Sequence, residues 1–190
     1  MGAGSSIAAI KGGESIDTSM GFTPLAGVMM GTRSGDIDPA IVPFLMKHEG
    51  LSADEIDTIM NKKSGILGLY SGKSNDMREI EEGYSAGREV ETRILHMVIN
   101  RILKYIGSYA ALMNGVDVIV MAGGVLERMP IAREMIAKQL ERFGLQFAAT
   151  ENNFREQEKL ISTPDSRVAM LVVPTNEEYM IAKDTAALVG

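Results

Sequence analysis

Apolar residues recur at steps of three and four between about residue 87 and Asn114, which is the spacing of one face of an α-helix. The residues that make up this stripe are Ile94, Met97, Val98, Ile102, Tyr105, Ile106, Tyr109 and Met113. The pattern predicts one long amphipathic helix over this range, with its apolar face turned toward a core.

Two shorter apolar runs have the length of buried strands. The first covers residues 116–121, and a glycine pair separates it from a helix predicted from about Pro130 to Phe143, which Gly144 stops. The second run covers residues 168–173. Thr175 and Glu178 follow it at the spacing of a capping box, which predicts a last helix to about Leu188. Strands that lead into helices predict an α/β fold.

The first third of the chain is dominated by turn signals. Residues 6–10 and 15–18 are short strand candidates on either side of Gly12-Gly13, which predicts a hairpin. Residues 20–37 show no sustained period and include four glycines, so we predict an ordered loop. Loops of this length are usually functional.

Two helices are predicted after this loop. Asp38-Pro39 is a good N-cap and first-turn pair, and Gly50 ends the helix that they open. Ser52 and Glu55 form a capping box that starts the second helix.

The composition is that of an acidic globular protein of 190 residues with a formal net charge of −6. An acidic balance argues against nucleic-acid binding, which needs a basic face. The chain has no cysteine, which excludes thiolate metal sites and disulfides and agrees with a cytoplasmic location. No apolar run approaches the roughly 20 residues of a membrane span, so we expect no membrane partner. Nothing in the sequence marks an internal boundary, and we treat residues 1–190 as one unit.

The most specific chemical signal is an arginine within the glycine-rich loop. Arg33 stands between Gly31 and Gly35, and glycines let the backbone approach a ligand closely. A guanidinium held in this way suits an oxyanion or a phosphoryl group, because its planar fork matches two oxygens at once. The alternative is a surface loop in which Arg33 pairs with Asp36 or Asp38.

The segment from Asp17 to Pro39 resembles the signature of the acetate kinase family, which forms acyl phosphates and includes propionate kinases. The resemblance continues through residues 101–111, 160–166 and 173–178, and it extends over essentially the whole chain. Members of the family are about twice as long, and this chain resembles only their C-terminal half. Their catalytic Asp, a substrate-binding Arg and the Asn-Gly-Ser phosphate motif have no counterpart in it.

The resemblance implies the actin-like ATPase fold, which is related to ribonuclease H, and this chain would supply most of the second of two domains. It implies reversible transfer of the ATP γ-phosphoryl group to acetate or propionate, with ATP or ADP and Mg²⁺ bound. It also implies a homodimer formed through this domain, and it leaves open a separate N-terminal half as partner. Arg33 would act on the phosphoryl group, and Pro24 would line the acyl pocket.

Three segments match the nucleotide-binding motifs of the family. Gly2, Ala3 and Gly4 resemble its phosphate loop, although a Gly-Ser start is also typical of a frayed terminus. Asp76, Met77 and Arg78 match a motif at the nucleoside end, although Asp76 with Glu79 also has the spacing of a capping box. The predicted residues of the adenosine loop are Gly124, Val125, Leu126, Glu127 and Arg128.

Two features qualify these assignments. Leu126 and Arg128 replace a Gly and an Asn of the family's loop, which puts nucleotide affinity or base preference in doubt. Glu177 aligns with the family's magnesium ligand, while Glu178 is assigned to the capping box with Thr175.

The competing hypothesis for function is a catalytically silent fragment that only dimerises or binds nucleotide weakly.

Overall fold

A computed structural model describes residues 4–154 and 157–189 of the chain. The helices are α1 (Ile41–His48), α2 (Ala53–Lys62), α3 (Gly65–Leu69), α4 (Met77–Ser85), α5 (Glu89–Met113), α6 (Gly124–Arg128), α7 (Pro130–Gln139) and α8 (Glu177–Val189). The strands are β1 (Ala8–Lys11), β2 (Glu14–Thr18), β3 (Val118–Met121), β4 (Lys159–Leu160) and β5 (Ala169–Val172). The predicted α/β class is confirmed.

The central sheet has the strand order β3-β5-β4. β3 and β5 run parallel, with Met121 opposite Val172, and β4 pairs antiparallel with β5. Because parallel neighbours end at the same edge, the segments that follow β3 and β5 leave the sheet side by side. This edge carries the loop before α6 and the loop before α8.

The predicted hairpin is confirmed as β1 and β2. Its turn consists of Gly12 and Gly13, whose φ angles are 62° and 85°. L-residues rarely adopt such positive φ angles, so the glycine pair sets the turn.

The long helix predicted from the apolar stripe is confirmed as α5, which ends at Asn114 in the left-handed conformation. Its buried face is wider than the predicted stripe, because Leu95 and Ile99 are buried as well. Met97, in contrast, is 43% exposed. The core lies where α5 packs against α4 and α7, and it continues into buried residues of β3 and β5.

Several helix boundaries differ from the predictions. α1 begins at Ile41 rather than at Asp38, because the Asp38 carboxylate accepts the Ala40 N–H at 2.9 Å in a turn before the helix. The helix from Pro130 ends at Gln139, and a separate 3₁₀ turn precedes Gly144.

The predicted capping box of the last helix is wrong by one residue. The Asn176 side chain accepts the Tyr179 N–H at 3.2 Å, while Thr175 is bound to Glu127 instead. The capping box of α2 at Ser52 and Glu55 is confirmed with both of its hydrogen bonds. Among residues 4–154 and 157–189, no helix is long and apolar enough to span a membrane.

Candidate functional site

A cavity of about 540 Å³ lies between the start of α4, the loop around Met30 and the start of α6. This volume is within the range of small-molecule sites. Most of its lining comes from these three segments, which lie far apart in the sequence. The predicted site residues that line it are Asp76, Met77, Arg78, Gly124, Val125 and Arg128. Ser5 also lines it, directly after Gly4, while Gly2 and Ala3 lie outside the described residues.

One wall of the cavity is the first turn of α4. The Asp76 carboxylate caps the helix by accepting the Arg78 N–H at 2.9 Å, and it also accepts the Arg78 Nε–H at 3.0 Å. The Arg78 guanidinium, together with this backbone N–H, lowers the pKa of Asp76. The alternative capping box with Glu79 is wrong, because Glu79 accepts the Ser74 hydroxyl at 2.8 Å. The cavity rim thus carries an ionised carboxylate paired with an arginine.

The opposite wall is α6, which begins after Gly123 at a positive φ of 82°. Val125 and Arg128 line the cavity, whereas Leu126 is buried in the core at 8% exposure. Leu126 does not adopt a positive φ angle. Its larger side chain is therefore accommodated in the core, outside the cavity lining.

Several lining residues were not predicted from the sequence. They are Met29, Met30, Gly31, Ile66, Asn75, Glu81, Val98 and Met129. Of these, Met29 to Gly31 lie inside the glycine-rich loop and Met129 directly follows α6, so proximity to a predicted motif was the available signal. Methionine suits such a wall, because its thioether adapts to flat or irregular ligand surfaces.

Arg33 lies beside the start of the described chain. Its Nη1 donates to the Pro24 carbonyl oxygen at 3.1 Å and contacts the Met30 sulfur at 3.6 Å. A Cβ atom on Gly4 would lie 3.5 Å from the same nitrogen. The guanidinium therefore sits between Gly4 and Pro24, next to Met30 of the cavity wall.

The alternative in which Arg33 pairs with an acidic residue of its own loop is wrong. Within the described ranges no carboxylate forms an ion pair with Arg33. The Asp38 carboxylate binds the Ala40 N–H, and the Asp36 carboxylate is occupied by α5.

Asp36 closes the loop that carries Arg33. Its carboxylate accepts the Gly27 N–H at 2.7 Å and the Tyr105 hydroxyl at 2.6 Å. The Asp36 N–H donates in return to the Gly27 carbonyl oxygen at 2.9 Å, and Arg101 lies 3.6 Å from the carboxylate. These contacts anchor both ends of the segment from Gly27 to Asp36 to one another and to α5.

The other side of this loop is held by α2 and α3. The Ser34 N–H donates to the Met60 carbonyl oxygen at 2.9 Å, and the Ser64 N–H donates to the Thr32 carbonyl oxygen at 3.0 Å. A Cβ atom on Gly65 would collide with the Met30 carbonyl oxygen, so the close approach of α3 requires glycine there. The backbone on each side of Arg33 is therefore fixed by neighbouring elements.

We expect alkaline sensitivity from two tyrosines of α5: Tyr105, which holds the loop through Asp36, and Tyr109, whose hydroxyl donates to Asp17 of β2 at 3.3 Å. Burial, reinforced by Asp36, raises the pKa of Tyr105 to about 12, and burial with Asp17 nearby raises the pKa of Tyr109 to about 12. In an unfolded chain tyrosine loses its proton near pH 10, at about its ordinary pKa. Between these values the unfolded chain binds fewer protons, so the free energy of unfolding should fall as pH rises from about 10 to about 12.

We expect this loss to be about 1 kcal/mol per tyrosine, and urea unfolding at a series of alkaline pH values measures it. The double substitution Tyr105→Phe and Tyr109→Phe should flatten the profile. Tyr179→Phe, on the exposed surface of α8, is the matched control and should leave the profile unchanged. A double variant that loses stability with pH as steeply as the wild type would contradict the assignment.

Glu177 is the first residue of α8, which buries no side chain among its described residues. The segment just before α8 is hydrogen-bonded to Glu127 of α6, the helix that forms one wall of the cavity. The Glu127 Oε1 accepts the Thr175 N–H at 3.0 Å and the Gly123 N–H at 2.6 Å. The Glu127 side chain is buried and is not part of the cavity lining, so its predicted contact with a nucleotide stays a prediction.

Comparison with known proteins gives one consistent result. The sequence profile described as the acetokinase family matches residues 1–183. The chain is 55% identical over 190 residues to the acetate kinase of Thermosipho melanesiensis, and 54% identical over 191 residues to that of Thermotoga maritima. Each match covers 100% of this chain and 47% of the relative. The chain therefore spans about half the length of these curated relatives.

Solved structures of an acetate kinase and a propionate kinase also match this chain. The crystal structure of Porphyromonas gingivalis acetate kinase superposes with a TM-score of 0.93 at 50% identity, covering 100% of this chain and 48% of that chain. A propionate kinase from Francisella tularensis superposes with a TM-score of 0.88 at 38% identity, covering 96% of this chain and 46% of that chain.

Proposed function

Because the chain belongs to the acetokinase family, we propose that it is the nucleotide-binding half of an acetate kinase. The whole enzyme would transfer the γ-phosphoryl group of ATP reversibly to acetate or propionate, giving an acyl phosphate and ADP. The chain has the α/β fold of the actin-like ATPases. It covers about half the length of the acetate kinase structure from Porphyromonas gingivalis. ATP and ADP as reactants agree with the cytoplasmic location expected from the sequence.

The observation that most supports this proposal is the convergence of three segments on one cavity. Gly124 brings bare backbone to it, and Val125 and Met77 supply apolar side chains from opposite walls, an arrangement suited to a flat base. The Asp76 carboxylate can accept hydrogen bonds from a ribose, and Arg78 and Arg128 add positive charge at the rim. Ser5 extends the lining toward Gly4 and Arg33.

Arg33 is the residue that we assign to the reacting phosphoryl group. One of its N–H groups is used by the Pro24 carbonyl, and its guanidinium carries further donors in the same plane. Such a fixed fork can stabilise the charge that develops on equatorial oxygens during transfer. Pro24 lies against this guanidinium, which agrees with its predicted place at the acyl pocket.

Magnesium, when bound, would neutralise phosphate charge as a Lewis acid. Glu177 is the residue that we expect to hold it, from an exposed position at the first turn of α8. The described part of the chain has no group of three or more His, Asp or Glu side chains placed for a metal. Mg²⁺ is commonly held by one or two carboxylates together with water and substrate phosphates, and Glu177 would supply one such carboxylate.

Calorimetric titration of the purified chain with ADP and Mg²⁺ tests the nucleotide site. We expect saturable binding of one ADP per chain, and Val125→Phe should weaken it about tenfold or more by filling the cavity. Val90→Phe, on the exposed first turn of α5, is the matched control and should bind ADP like the wild type. The proposal fails if the wild-type chain shows no saturable binding, or if both variants lose affinity equally.

We also expect the chain to form a homodimer. Val118 and Val120 of the edge strand β3 are 49% and 58% exposed, and Leu112 near the end of α5 is 57% exposed. Val118 and Val120 lie on the same face of β3, whose outer edge pairs with no strand among the described residues, and such exposed apolar surface favours association. Light scattering at micromolar concentration should give the mass of two chains, and Val120→Lys should shift it toward one. A monomer mass for the wild type would contradict this expectation.

A further inference from the structure

The loops that follow β3 and β5 leave the sheet next to each other. Met121 and Val172 are opposite residues at the ends of these parallel strands, and the Val173 N–H donates to the Met121 carbonyl oxygen at 2.9 Å. The loop after β3 leads into α6, whose residues Gly124 and Val125 line the cavity. The loop after β5 leads into α8. Ligands of open α/β sheets bind at such strand ends.

One buried carboxylate joins the two loops. Glu127 is 7% exposed, and its Oε1 accepts the Gly123 N–H at 2.6 Å and the Thr175 N–H at 3.0 Å. The Thr175 hydroxyl lies 3.4 Å from the same oxygen. A local cap within α6 would explain only the bond to Gly123. The bond to Thr175 joins residues 48 positions apart in the chain.

The position of Glu127 is also fixed by hydrogen bonds from Arg133 to the backbone of α6. Arg133 is fully buried, and its Nη1 donates to the carbonyl oxygens of Leu126 and Glu127 at 2.8 Å each. Its Nε donates to the Asn152 side-chain oxygen at 2.7 Å. Because α6 has only five residues, its placement depends on such contacts rather than on its own stability. A displacement of α6 relative to Arg133 would therefore also displace Thr175, because Glu127 joins α6 to Thr175.

We propose that Glu127 is a positioning residue that couples the cavity wall of α6 to the first turn of α8. This inference rests on the proposed nucleotide site and adds to it a route from that site to Glu177. α8 buries no side chain among its described residues, so its direction depends on how Thr175, two positions before it, is attached. A ligand that orders Gly124 and Val125 also orders the carboxylate that holds Thr175.

Hydrogen exchange of the full chain without nucleotide gives the first test. In Glu127→Ala, exchange should become about tenfold faster both at residues 122–124 and at residues 174–178, because both N–H groups lose their acceptor. Glu127→Gln should restore slow exchange, since all three contacts use one oxygen that the amide retains. Glu134→Ala, on α7, is the matched control. Acceleration at residues 122–124 alone would overturn the coupling.

Saturating ADP gives the second test. In the wild type and in Glu127→Gln, ADP should slow exchange at the cavity and also at residues 174–178. In Glu127→Ala it should slow exchange at the cavity only. Equal protection of residues 174–178 in Glu127→Ala would overturn the inference, because a merely structural role leaves that response in place.

A third variant covers the case in which Glu127→Ala does not fold. Thr175→Pro removes the distant N–H together with the Thr175 hydroxyl and leaves Glu127 and Gly123 unchanged, so it should abolish the ADP response at residues 174–178 and keep it at residues 122–124. A retained response at residues 174–178 would overturn the inference. If ADP changes nothing anywhere in the wild type, the proposed nucleotide site fails, and the coupling of that site to α8 fails with it. The comparison without nucleotide then still decides whether Glu127 joins the two loops.

Discussion

Purified on its own, the 190-residue chain should form no acyl phosphate above background when it is given ATP, Mg²⁺ and acetate. Phosphoryl transfer depends on holding both reactants in line, and such orientation is equivalent to an effective concentration on the order of 10⁵ M or more. The chain spans 47% of the acetate kinase of Thermosipho melanesiensis, and its resemblance to the family leaves the catalytic Asp without a counterpart. Trapping the product as its hydroxamate measures the result.

The control is the same assay after addition of the N-terminal half of that relative. Activity in the mixture and none in the chain alone would support the division of the site between two halves. Hydroxamate well above background from the chain alone would contradict the prediction. An inactive mixture in which the chain still binds ADP would favour the competing hypothesis of a silent nucleotide-binding module.

Local signals account for the parts of the fold that the sequence predicted. The stripe of α5, the Gly12-Gly13 turn and the capping box at Ser52 each depend on residues within a few positions of one another. The Asp76 to Arg78 and Gly124 to Arg128 segments were assigned to a ligand through their resemblance to motifs of the acetate kinase family. What the sequence could not supply was their meeting on one cavity, because that depends on packing between residues some 50 positions apart.

The partners of the acidic residues were the least predictable feature. Asp36 lies three positions from Arg33, and sequence proximity favoured that pair, but its hydroxyl partner Tyr105 is 69 positions away. Glu127 likewise accepts the N–H of Thr175, 48 positions away, a contact that its sequence neighbours did not indicate. A carboxylate binds whichever donors the fold brings within reach, and sequence spacing reports only donors on the same element.

The contacts of Asp36 bear directly on what Arg33 can do. A guanidinium paired with a carboxylate would have its charge and two of its donors already engaged. In the described chain Arg33 instead contacts a carbonyl oxygen and a sulfur, and Asp36 holds its loop by way of Tyr105. The loop is thus held by Asp36 as well as by the bond from Arg33 to Pro24, and no carboxylate of the described residues pairs with the arginine.

In an enzyme assembled from this chain and the N-terminal half of a relative, Arg33→Lys should lower the turnover number by a factor on the order of 10² or more. Lysine keeps the positive charge and loses the planar pair of donors, so the loss belongs to the geometry of the transition state. ADP affinity should change little, because Arg33 is not part of the nucleotide cavity lining. Steady-state rates together with calorimetric ADP binding measure the two effects separately.

Arg93→Lys is the matched control, because Arg93 is exposed on α5 and pairs there at 3.5 Å with Glu89, which is exposed as well. It should change neither the turnover number nor ADP affinity. If Arg33 served only to anchor its loop through the Pro24 carbonyl, Arg33→Lys would lower the melting temperature and leave turnover nearly intact. Equal turnover for the wild type and Arg33→Lys would therefore remove Arg33 from the catalytic site, since a phosphoryl-binding fork cannot be replaced by an ammonium without loss of rate.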